Sequence, residues 1–224
     1  MRRTTQLLMC VLVATVLVFA WAVPAFADYH YYQGNKVPSG AYGVKASIAT
    51  LSTSPYVPDG IVCNWASNDD TNGYWMQCGW VKGNGTTYAP DGTRYPTIPT
   101  SYSESNWPNG YKMSLSTAQP LNSSRSYEVA NIGGSTWNAY IQGALTLQRT
   151  LTANSSWIAA RSEIGISMPP TLDQDYASFT SVQYKPSSTG AYTNFTQANW
   201  DAAYTWFYTA KTHAYQYITH ANGL

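Results

Sequence analysis

Three functional groups fall inside stretches that alternate like β-strands. They are the amide of Gln77 in GYWMQCGWV and the carboxyls of Glu128 in SYEVAN and Glu163 in IAARSEIGIS. Alternation in the first stretch puts Gln77 on the face that carries Trp75 and Val81. An amide there is either a solvated surface group or half of a catalytic site completed by a distant segment. In the last stretch Arg161, Glu163 and Gly165 share one face, and Ile158, Ala160, Ser162 and Ile164 share the other. Glu163 thus projects opposite an apolar row. Screened by aromatic side chains on a curved sheet, it becomes a proton carrier; in solvent it simply pairs with Arg161. Glu128 with Glu163 forms a glycosidase pair only if both carboxyls flank one groove, and the clustered ExDxxE strand of sandwich glucanases is absent.

Most of the remaining acids read as turn residues. Asp59, Asp69 and Asp91 sit beside Gly, Asn or Pro, where aspartate organises backbone, and Asp70, Asp173 and Asp175 are read with them. Asp69 with Asp70, and Asp173 with Asp175, lack the further oxygens a calcium shell needs. There is no HExxH, CxxC pair, GxSxG or Walker loop, so no metal, nucleotide or other cofactor is expected. His30, His213 and His220 lie near the ends of the chain, away from any serine or acid motif.

The elements that must position these groups are short strands. Gly and Pro recur about every ten residues, and strands are predicted near 42–50, 61–66, 74–81, 110–116, 125–131, 136–142, 145–151, 157–166 and 177–184. That is the pattern of an all-β, antiparallel two-sheet sandwich. Thr86 to Pro108, with four prolines, reads as a long irregular connection of the kind that lines or covers a groove. Near the C-terminus Trp200, Ala203, Tyr204 and Phe207 recur at i, i+3, i+4 and i+7, which predicts a short helix within 197–212 capped by Asn199.

MRRTTQLLMCVLVATVLVFAWAVPAFA has the basic start, apolar run and small-residue end of an export signal cleaved after Ala27. Residues 28–224 then form one secreted domain with no stable membrane insertion. Loss of Arg2 and Arg3 leaves ten basic against eleven acidic residues, too little field to attract nucleic acid. Nine Trp and 19 Tyr suit either a core or a surface for peptide or extracellular polysaccharide. Cys63 and Cys78 are the cysteines left. A 61–66/74–80 hairpin that sets them opposite each other closes a disulfide and places Asn64 across from Gln77; the alternative is two reduced thiols.

The order of pieces resembles a known family. SGAYGVKASIATLSTSP, IVCNWASNDD and YWMQCGWV look like the opening half of the glutamic peptidases, or eqolisins. PLNSSRSYEVANIGGSTWNAYIQGALTLQRTL, ARSEI and YASFTSVQY follow in that family's order, so the likeness runs from Ser39 to Tyr184. It implies a concanavalin-like (jelly-roll type) sandwich and a peptidase without metal or cofactor. Gln77 matches the family's catalytic glutamine and Glu163 its glutamate; Asn64 then orients the amide, and Trp65 and Trp75 wall the substrate site. The other reading is a noncatalytic sandwich that binds carbohydrate or cell-wall polymer.

Overall fold

A computed structural model describes residues 29–38, 40–166, 172–196, 206–210 and 213–222. The predicted signal segment, residues 1–27, lies outside them. Every regular element among the described residues is a strand. In chain order they are β1 (Tyr29–Pro38), β2 (Gly43–Ala49), β3 (Ile61–Asp69), β4 (Trp75–Gly83), β5 (Thr100–Trp107), β6 (Gly110–Ala118) and β7 (Ser124–Gly133). Then come β8 (Thr136–Ile141), β9 (Ala144–Thr150), β10 (Trp157–Ile166), β11 (Gln174–Tyr184), β12 (Thr193–Asn194), β13 (Phe207–Thr209) and β14 (Tyr217–Ala221).

They form two antiparallel sheets. Sheet A has the order β1-β10-β3-β4-β5-β6, and sheet B the order β13-β14-β11-β2-β7-β8-β9 with β12 beside β11. Alternation sorts each strand's side chains. Val62, Ala66, Met76, Trp80, Ile158 and Ile164 point inward from sheet A to meet Val44, Ile48, Tyr127, Val129, Trp137 and Phe179 of sheet B. Fully burying such side chains contributes about 1.5–3 kcal/mol each.

The sandwich and most strand positions agree with the sequence expectation; three details are corrected. The C-terminal helix is not seen: residues 197–205 lie outside the described set, and Phe207–Thr209 is the strand β13, paired to β14 with Phe207 opposite Ala221. The connection 86–108 is irregular only in its first part, because Thr100–Trp107 is the strand β5. Finally, the β3/β4 register is shifted by three residues. Cys63 pairs with Val81, and Cys78 with Ala66. An odd shift puts the two cysteines on opposite faces, so no bridge forms and both are free buried thiols.

Asp70 sets that register. Its Oδ1 accepts the N–H groups of Asn72 at 2.7 Å and Tyr74 at 3.0 Å, and its own N–H donates to the Tyr74 carbonyl at 2.8 Å. This tight turn closes the hairpin on the pair Asp69–Trp75. Asn64 therefore faces Trp80, not Gln77. Its side chain points between the sheets, where Oδ1 accepts the Ser162 hydroxyl, which in turn meets Thr219 of β14 at 2.5 Å. Asn64 belongs to the interior and not to a substrate site.

Candidate functional site

The outer face of sheet A carries a cleft of about 600 Å³. Odd-numbered residues of β3, Cys63, Trp65, Ser67 and Asp69, form its floor, and β4 adds Trp75 and Gln77. β10 contributes Trp157, Arg161 and Glu163, while β1 contributes His30 and Tyr32. On the far side stand Glu104 and Asn106 of β5, with Tyr111 of β6. The loop before β5 brings Pro90 and Tyr95. Asp91 ties that loop down by accepting the Met113 N–H at 2.7 Å.

Gln77 and Glu163 thus open onto one cleft. They stand in different cross-strand rows. Ala159, Ser67, Gln77 and Glu104 form one row; Tyr32, Glu163, Cys63 and Val81 form another; Arg161 and Trp65 lie between. Two strands across and four residues along is on the order of 16 Å between Cα atoms in a flat sheet. The amide and carboxyl therefore approach each other only across the intervening Trp65 and Arg161.

Each is held by its own neighbours. Glu163 Oε1 contacts His30 Nδ1 at 2.6 Å, Oε2 accepts the Trp65 indole N–H at 3.0 Å, and the Tyr32 hydroxyl also bonds to the carboxyl. Gln77 Nε2 donates to Glu104 Oε1 at 2.5 Å and to the Tyr102 hydroxyl at 3.0 Å. The Tyr111 hydroxyl donates to Glu104 Oε2. Between the sets, Gly79 lies in line with Trp65 and Tyr102. A Cβ there would fall 1.9 Å from the Asn64 carbonyl oxygen, so this position admits only glycine.

Burial shapes the charges. It pushes the Glu104 carboxyl up to about 8, with the nearby Glu163 charge adding and the Gln77 hydrogen bond opposing. Below that pH Glu104 holds a proton. Asp69, at the other end of the cleft, is pushed by burial to about 7, against the pull of Arg161 and Lys36. The Arg161 guanidinium lies 5.0 Å from the Trp157 ring centre and 5.9 Å from that of Tyr32, stacking contacts worth about 0.5–2 kcal/mol.

Of the residues singled out in the sequence, Gln77, Glu163, Trp65, Trp75 and Cys63 share the cleft. Asn64 and Cys78 do not; Cys78 points into the core, its thiol 3.4 Å from the Glu128 carbonyl oxygen. The Glu128 side chain belongs to sheet B and accepts the Tyr192 hydroxyl at 2.9 Å, which separates it from Glu163 and removes the two-glutamate glycosidase pair. Two cleft groups were not recognised in the sequence, because neither β1 nor β5 was predicted as a strand: His30 was set aside as lying near a chain end, and Glu104 was not singled out.

No family model matches the chain, and no curated protein matches it. Solved structures do. Scytalidoglutamic peptidase with a transition-state analogue inhibitor superposes at a TM-score of 0.54, with 11% identity over 88% of this chain and 100% of that one. SCP-B, a member of the eqolisin family, bound to the tripeptide Ala-Ile-His, gives 0.52 at 12% identity with the same coverages. At such identity the likeness establishes the fold, an antiparallel two-sheet sandwich.

Proposed function

We propose that this chain is an exported hydrolase of the glutamic-peptidase type acting on extended polypeptide. The observation that carries this is the opening of the Gln77 amide and the Glu163 carboxyl onto one aromatic-walled cleft. Glu163 is the base. Glu104, protonated below about 8, has no capacity to take a proton in neutral or acid medium, whereas Glu163 is surrounded by donors from His30 and Trp65. Glu163 takes a proton from water, the oxygen attacks a peptide carbonyl lying over Trp65, and the proton passes to the leaving amine as the C–N bond breaks. Gln77 donates to the oxyanion by exchanging its 3.0 Å contact with Tyr102, while Glu104 keeps the amide in place.

A second reading is a polymer-binding groove without catalysis. It is favoured by the engagement of both Gln77 amide hydrogens and by the partly exposed rings of Trp75, Tyr111 and Trp157 along the rim. Incubation with an unfolded protein from pH 2 to 8 separates the two. The peptidase reading expects fragments, and a loss of roughly 10²–10⁴ in kcat for Glu163→Gln. An intact substrate at every pH, together with retention on insoluble polysaccharide, replaces it by the second reading. Full activity in Glu163→Gln with none in Glu104→Gln would reassign the base.

A further inference from the structure

The cleft contains an imidazole that takes no proton in the steps proposed for Glu163. His30 enters on β1, the edge strand of sheet A, and reaches Glu163 from 133 residues away in sequence. Its seat is built. The cross-strand partner of His30 is Gly165, and a Cβ on that residue would stand 3.2 Å from His30 Cε1 and 3.4 Å from Nδ1. The ring thus lies close to bare backbone, and Nδ1 meets Glu163 Oε1 at 2.6 Å. The other carboxyl oxygen is fixed by the Trp65 indole. Glu163 is thereby held through both oxygens, by a donor whose charge depends on pH and by one whose charge does not.

We propose that His30 is a positioning residue for Glu163, fixing the carboxylate through Nδ1–H and matching it with a full positive charge when the medium turns acidic. The Nδ1–H donor persists in both states of the ring: the neutral tautomer donates it, and so does the imidazolium. Acidification therefore strengthens the contact to an ion pair instead of breaking it. The ionisable groups facing the pair are Tyr32 of β1, Cys63 of β3, Arg161 of β10, and across the cleft Tyr95, Tyr102 and Glu104. Burial pushes the tyrosines and Cys63 upward, so they stay neutral in acid, and Glu104 is neutral there too. His30 and Arg161 are then the charges that oppose Glu163.

The inference rests on Glu163 as the base and is tested by two readouts. In the first, cleavage of an unfolded protein is followed from pH 3 to 8 with wild type, His30→Ala and His30→Gln. His30→Ala should lose about tenfold or more of kcat at pH 4, less at pH 7, with KM unchanged. His30→Gln, which keeps a neutral donor, should recover the rate at pH 7 but not at pH 4. Superimposable pH profiles overturn the proposal. The second readout needs no activity: the His30 ring titration followed by NMR in wild type and Glu163→Gln. Removing the carboxylate should lower the His30 midpoint by about one pH unit or more, and an unchanged midpoint overturns the proposal even if no substrate is ever cleaved. Absence of cleavage by wild type with a shifted His30 midpoint refutes the peptidase reading alone.

Discussion

At the scale of single residues, Glu104 is the group whose ionisation and contacts are most opposed. Its folded-state value of about 8 lies above the ordinary 4.5 chiefly because of burial. The native protein thus binds a proton that the unfolded chain has released between those limits. Stability is full below pH 4.5 and falls as pH rises through about 8. Glu104→Gln keeps the shape of the side chain and carries no charge. Denaturant titrations should give wild type and variant similar stability near pH 4, with the variant more stable at pH 9 by on the order of 5 kcal/mol; equal slopes against pH would refute the assignment. Gln77 and Glu163 were legible because each interrupts a clear alternation of apolar residues. His30 and Glu104 were not, since YHYYQGNKVP and SYSESNW show no such contrast. In β5 the inward positions are Ser101, Ser103 and Ser105, all fully buried. Ser101 meets the Tyr127 hydroxyl at 2.8 Å, and Ser105 accepts from Arg149 Nε at 2.9 Å. A strand whose core face is built of serines has no hydrophobic period to detect.

At the scale of elements, the β3/β4 hairpin decides which face each side chain serves. The composition of its turn was readable; the aspartate that closes it was not distinguished from its neighbour, and a three-residue error in pairing moved Asn64 and one cysteine to the wrong side. Alkylation located by peptide mass tests the observed pairing. Cys63 and Cys78 should both resist reagent in the native protein and both react after unfolding without any reductant; protection that persists until reduction would restore the bridge. The C-terminal strands went unread for another reason. Phe207 belongs to a stripe with helical spacing, but β14 completes the edge of β11 and β13 in turn covers β14. Three residues are too few to display a period of two.

At the scale of the whole molecule, several groups tilt stability in one direction. Asp69 is raised to about 7 by burial, and so behaves as Glu104 does. His220 contacts Asp175 through Nδ1 at 2.7 Å and Asp173 through Nε2 at 2.9 Å. Burial alone would lower it, but its hydrogen bonds and these carboxylates raise it above 6.5, so its contribution is present below that value and lost as pH rises past it. The melting temperature should accordingly be higher at pH 5 than at pH 9, and a curve rising toward alkaline pH would contradict all three assignments. The pairing of residues 29–38 with 157–166 has a kinetic consequence as well. The first of the described strands must wait for this partner until about three quarters of the polypeptide has been synthesised. Contacts of such long range make closure slow, and any truncated product ending before β10 lacks both the glutamate and the neighbour that β1 requires.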